Sequence, residues 1–81
     1  MRVDVILPSL GDDADAVAGG TVSFWLAAPG TVLKEGDDLL ELTTDKAAFV
    51  VPCPASGTLV EQRVREGDRI AVGDVLGVLE T

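Results

Sequence analysis

Two lysines, Lys34 and Lys46, carry the only side-chain primary amines of this 81-residue chain, and their settings differ. Lys34 lies in Leu33-Lys34-Glu35-Gly36, a surface turn in which a long charged side chain needs no further explanation. Lys46 lies in Thr43-Thr44-Asp45-Lys46-Ala47-Ala48, a polar break between two strand-like runs, where it shares a two-residue turn with Asp45. A solubilising charge is the ordinary reading of a hairpin lysine. The position of Lys46 near the middle of a duplicated chain favours the other reading, an attachment point. A Schiff-base or general-base lysine needs burial or cationic neighbours, which a turn beside Asp45 in an acidic domain does not offer. Lys46 is therefore read as an acceptor. An outside enzyme would supply an activated carboxylate and a base, and acylation would remove one positive charge and lengthen the arm.

Other chemistry finds little support. The chain has no His and no Tyr, so Ser9, Ser23 and Ser56 lack the usual bases for nucleophilic catalysis. The carboxylate pairs Asp12/Asp13 and Asp37/Asp38 are adjacent residues in turn-like segments, where solvation is the expected role. Asp13-Ala14-Asp15 resembles the start of a calcium loop without its Gly and distal Glu. Cys53 is the lone cysteine, so no intramolecular disulfide forms, and without His the usual zinc ligand sets are excluded within one chain. Set between Pro52 and Pro54 with no basic neighbour, it reads as a structural residue in a tight turn. The expectation is a domain with no catalytic residues and no metal site of its own.

The elements that must display Lys46 come from a repeat. Shifting the chain by 37 positions pairs residues 20–44 with 57–81 without a gap, and eight of the twenty-five pairs are identical: Gly20/Gly57, Thr21/Thr58, Gly30/Gly67, Gly36/Gly73, Asp37/Asp74, Leu39/Leu76, Leu42/Leu79 and Thr44/Thr81. Turn formers and apolar positions both recur. Two copies make one pseudo-symmetric domain, because open arrays need about three units. A weaker echo pairs residues 2–8 with 46–52 at an offset of 44, which leaves seven extra residues in the loop from Ser9 to Gly19.

Within the repeat, strands are expected at Arg2–Leu7, Thr21–Ala27, Thr31–Leu33, Leu39–Thr44, Ala47–Val51, Gly57–Arg65, Arg69–Ala71 and Val75–Glu80. Gly or Pro interrupts nearly every window long enough for a helix. The pattern fits an all-β flattened barrel or sandwich of antiparallel strands. The Gly-Asp steps at 36–37 and 73–74 are expected to close turns that require positive φ.

Size and charge set further bounds. A chain of this length is one domain, residues 1–81, and buries only about 60% of its unfolded surface. With 47% apolar residues and only Phe24, Trp25 and Phe49 as aromatics, the core is aliphatic. A net charge of −8 disfavours nucleic acid, whose phosphates call for clustered Lys and Arg. No run reaches the length of a membrane span, and no targeting segment is visible.

Taken together, Asp45-Lys46-Ala47 between Gly-punctuated repeats, with Leu7-Pro8-Ser9-Leu10-Gly11 before it and Pro54-Ala55-Ser56-Gly57 after it, closely resembles the lipoyl domains of dihydrolipoyl acyltransferases in 2-oxo acid dehydrogenase complexes. The resemblance covers essentially the whole chain. It implies two four-stranded antiparallel sheets related by a quasi two-fold axis, a barrel-sandwich hybrid, as part of a longer multidomain polypeptide. It implies lipoate in amide linkage on Lys46, with Asp45 and Ala47 as flanking recognition residues for a lipoate ligase or lipoyl transferase. The lipoyl arm of the family accepts an acyl group from a thiamin-dependent 2-oxo acid decarboxylase. It delivers that group to coenzyme A at an acyltransferase core domain and is reoxidised by dihydrolipoyl dehydrogenase. The acidic loop with Asp12, Asp13 and Asp15 corresponds to the family's partner-recognition loop. The implied compartment is the bacterial cytoplasm or, in a eukaryote, the mitochondrial matrix. One departure is Thr43, where many lipoyl domains carry Glu. Biotinyl carrier domains of carboxylases share the fold but usually flank the lysine with Met, which Asp45 and Ala47 do not match.

Overall fold

The computed structural model describes residues 1–9 and 18–81, and the acidic positions Asp12, Asp13 and Asp15 lie outside the described residues. Eight strands follow in order: β1 (Arg2–Ile6), β2 (Gly19–Trp25), β3 (Val32–Leu33), β4 (Asp38–Thr43), β5 (Ala48–Pro52), β6 (Gly57–Gln62), β7 (Arg69–Ala71) and β8 (Val75–Glu80). They form two antiparallel four-stranded sheets, ordered β1-β8-β6-β3 and β5-β4-β2-β7. Replacing each strand by its partner four places along the chain converts one order into the other, so the duplication read from sequence is a structural two-fold. No helix occurs among the described residues.

Backbone hydrogen bonds fix how the two halves superpose. Leu26 N donates to Leu39 O and Arg63 N to Leu76 O, while Gly67 N donates to Val22 O and Gly30 N to Leu59 O. Each pair of bonds is related by the offset of 37. For the first strands the offset is 46 and not the expected 44: Leu7 N donates to Asp74 O as Cys53 N does to Asp37 O, and Gly73 N donates to Leu7 O as Gly36 N does to Cys53 O. Pro8 therefore corresponds to Pro54, and the first half carries nine extra residues. A shift of two leaves every side chain of a strand on its original face, so the apolar pattern cannot separate these registers.

The core sits between the sheets and is itself symmetric. Val5/Val51, Leu7/Cys53, Val22/Leu59, Leu33/Ile70, Leu39/Leu76 and Leu42/Leu79 are all buried, so at these positions the two halves contribute alike. Gly30, Gly36, Gly67 and Gly73 have φ of 93°, 92°, 94° and 95°, as expected for 36 and 73. The turns at Gly36, Gly67 and Gly73 are locked by acids: the carboxylates of Asp37, Asp68 and Asp74 accept from the backbone N–H of Lys34, Arg65 and Ala71 at 2.9, 2.9 and 2.8 Å. The Asp37 carboxylate, for which solvation was expected, bonds within the turn that the Gly36-Asp37 step was expected to close. At Gly20 and Gly57 a Cβ would fall 2.6 Å from Thr43 O and 2.6 Å from Glu80 O, closer than real Cβ contacts, so both repeats need glycine there.

The strand course places the two ends of the molecule. β2 starts beside the β4–β5 connection, where Thr21 pairs with Thr43, and β6 starts beside the chain termini, where Thr58 pairs with Glu80. The far ends of β2 and β6 meet, tied by Trp25 Nε1 donating to Val64 O at 2.8 Å and Gln62 Nε2 donating to Ala27 O at 3.0 Å. The β4–β5 turn and the termini therefore occupy opposite poles.

Candidate lysine display site

The last ladder pair before the β4–β5 connection is Thr43 with Ala48, so the connection is a four-residue loop, Thr44-Asp45-Lys46-Ala47. The two-residue turn expected from sequence is longer because Thr44 leaves the ladder to organise the loop. Its N–H donates to Ala47 O at 2.9 Å, closing the loop through the main chain. Its hydroxyl donates to the same Ala47 O at 2.9 Å and accepts the N–H groups of Lys46 and Ala47, each at 3.1 Å. Short hydroxyl side chains commonly take over backbone partners in this way at turns. The peptide units around Lys46 are held by side chain and backbone together, and Lys46 is exposed at the tip with Asp45 and Ala47 exposed on either side.

Below the tip the scaffold is stiff. Leu42 and Leu40 of β4 are fully buried, and β4 is flanked by β2 and β5 over most of its length. The hydroxyls of Ser23 and Thr43 bond to each other across β2 and β4 just under the loop. A groove of about 950 Å³ beside the loop is lined by Gly19, Gly20 and Thr21 of β2, Thr43 to Asp45, and Arg69 of β7, among others. Among the described residues no cluster of three metal-ligating side chains occurs. Cys53 is buried and donates its thiol hydrogen to Ala55 O at 3.1 Å, far from reagent chemistry in the folded state.

The three consecutive residues predicted for the site, Asp45, Lys46 and Ala47, thus occupy one loop. Sequence reasoning missed Thr44. The signal was present in the Thr44/Thr81 identity, since Thr81 makes the equivalent bonds at the opposite pole: its N–H and its hydroxyl both donate to Met1 O, at 2.8 and 3.1 Å.

A family model described as "Biotin-requiring enzyme", of biotin and lipoyl domains, matches residues 3–79. The chain belongs to the biotin/lipoyl family. Within that family its similarity is to acyltransferase components of 2-oxo acid dehydrogenase complexes. It is 40% identical over 73 residues to the dihydrolipoyllysine-residue acetyltransferase component of the pyruvate dehydrogenase complex of Corynebacterium glutamicum, covering 90% of this chain and 10% of the relative. It is 37% identical over 75 residues to the lipoamide acyltransferase component of the branched-chain alpha-keto acid dehydrogenase complex of Bacillus subtilis, covering 93% and 17%. The chain thus spans less than a fifth of the length of these relatives. Among solved structures, the lipoyl domain of the 2-oxoglutarate dehydrogenase complex from Azotobacter vinelandii matches with TM-score 0.71 and 30% identity over 98% of this chain and 96% of that one. The urea carboxylase of Kluyveromyces lactis matches at TM-score 0.80 and 20% identity, a likeness of fold.

Proposed function

We propose that this chain is a lipoyl carrier in which Lys46 Nζ holds lipoate in amide linkage, serving a 2-oxo acid dehydrogenase complex. The observation that carries the reading is the exposed Lys46 at the tip of a four-residue loop on a rigid hairpin, in a chain similar end to end to a solved lipoyl domain. The site suits the group: Lys46 and the flanking Asp45 and Ala47 are all exposed. Amide formation joins the Lys46 nitrogen to the carbonyl carbon of an activated lipoate, expels the activating group, and loses the amine proton to a base on the ligase or lipoyl transferase. When attached, the dithiolane supplies the chemistry of taking up an acyl group from a thiamin-dependent decarboxylase, yielding it to coenzyme A at an acyltransferase core, and being reoxidised by dihydrolipoyl dehydrogenase. The chain's own residues present and confine the arm. A stiff hairpin fixes the root of a tether, so that encounters with successive active sites are governed by effective concentration. The acidic segment with Asp12, Asp13 and Asp15 is the proposed recognition element for the decarboxylase.

The test is incubation of the chain with lipoate, ATP and a lipoate ligase, followed by intact mass and peptide mapping. One lipoyl group on Lys46, absent from Lys46→Arg, supports the proposal. Modification at Lys34, or none, refutes it. An avidin blot after treatment with a biotin ligase distinguishes the biotinyl alternative.

A further inference from the structure

We infer that Thr44 is a positioning residue for modification of Lys46, acting through the loop backbone, an inference that rests on Lys46 being the attachment lysine. The central N–H groups of a hairpin loop ordinarily turn to water, leaving the loop several conformations. Here one hydroxyl accepts two of them, from Lys46 and Ala47, and donates to Ala47 O, adding three bonds to the main-chain bond between Thr44 and Ala47. These bonds span the peptide units on both sides of the Lys46 Cα, and the β-branch of Thr44 further narrows its χ1 choices. An enzyme that binds this loop in one shape meets it already ordered and loses less conformational entropy on binding. Because the saving falls on association, it affects KM more than kcat.

The pseudo-two-fold supplies an internal control. Thr81 occupies the equivalent position and donates from both N–H and hydroxyl to Met1 O, but no lysine loop lies there. The same threonine bond therefore exists once beside the acceptor amine and once at the far pole. Thr81→Val removes the shared bond at the far pole, whereas Thr44→Val also removes the two bonds from the Lys46 and Ala47 N–H groups. A role in stability alone leaves the modification rate of either folded variant unchanged, and a positioning role lowers it for Thr44 alone.

The experiment compares the unsubstituted chain, Thr44→Val, Thr44→Ser and Thr81→Val as substrates of a lipoate ligase, with urea denaturation of each. Expected are two folded valine variants, Thr44→Val the less stable, and under conditions where both are folded a roughly tenfold lower kcat/KM for Thr44→Val, chiefly in KM, as for loss of about one or two hydrogen bonds' worth of ordering. Thr44→Ser restores most of the rate, and Thr81→Val matches the unsubstituted chain. Thr44→Val modified at the full rate, or Thr81→Val slowed equally, overturns the inference. If the unsubstituted chain itself gains no lipoyl group on Lys46, the attachment reading fails, and with it this one. Should Thr44→Val not fold, amide hydrogen exchange of the unsubstituted chain decides: slowed exchange at Lys46 and Ala47 N–H supports the clamp, and free-peptide rates at both refute it.

Discussion

Trp25 and Gln62 make the same hydrogen bond from opposite sides of the pseudo-two-fold. Trp25 Nε1 donates to Val64 O at 2.8 Å and Gln62 Nε2 to Ala27 O at 3.0 Å, and both the donors and the acceptors are 37 residues apart. An indole and a carboxamide have little in common except an N–H at the end of a flat group, so the duplication has preserved the bond and not the residue. Each bond ties one sheet to the segment leaving the other. Trp25→Phe and Gln62→Leu each leave a half-buried or buried carbonyl without its partner, and each should cost about 1–3 kcal/mol in urea denaturation. A loss below about 0.5 kcal/mol for both would show that water replaces the bond.

Cys53 takes the place of Leu7 in the other half, and both are 1% exposed. It is a core residue with a sulfur atom. Cys53→Val should change stability by less than about 1.5 kcal/mol, whereas Cys53→Asp, which buries a charge with no partner, should prevent folding. A thiol reagent such as DTNB should label the native chain only at the rate of unfolding. Rapid stoichiometric labelling of the folded chain would contradict the burial.

Leu42 and Leu79 are symmetry counterparts with no exposed surface. Truncation of either to Ala should cost about 2–5 kcal/mol, a large share of the stability of a domain this small. Phe24 is the contrasting case, 57% exposed on the outer face of β2. Phe24→Ser should shift stability by about 1 kcal/mol or less, since little apolar area leaves the interior. Chemical denaturation of the three variants side by side measures the difference directly.

Gly36 and Gly73 sit at φ 92° and 95° with open space where a Cβ would go, so the cost of substitution there is conformational and not steric. Gly36→Asn should be tolerated with a loss of about 1 kcal/mol, because Asn visits this region, and Gly36→Val should lose more. At Gly57 the order changes: even Ala brings its methyl against Glu80 O, so Gly57→Ala should destabilise the chain although its backbone conformation is ordinary. Melting temperatures of the three variants test both statements.

The pattern of strands and turns was legible because each β-element is short, alternates and is bounded by Gly or Pro. Arg69–Ala71 and Val75–Glu80 were read to the residue, and the two-sheet architecture follows from the duplication. The acceptor candidate was legible for the same reason, as a lysine between two apolar runs at the centre of a repeat. Two features were not legible, each for a physical cause. The alignment of β1 on β5 within the repeat differs by two from the expected one because alternation has a period of two, and backbone pairing distinguishes the choices: Val3 pairs with Leu79 as Phe49 does with Leu42. The part of Thr44 in the loop around Lys46 was not legible because its hydroxyl adds side-chain bonds to the main-chain closure, and no hydropathy pattern records them.

The bond from Thr81 to Met1 is the counterpart of the bond from Thr44 to Ala47, and in the latter only Asp45 and Lys46 intervene. An Asp-Lys bridge ligated between Thr81 and Met1 would therefore convert the open polypeptide into a ring with a second hairpin of the same design. Such a cyclic molecule, incubated with lipoate ligase, should gain two lipoyl groups in intact-mass spectra, one at each pole. Finding only one would mean that the ancestral symmetry survives in the backbone but no longer in what an acceptor loop requires.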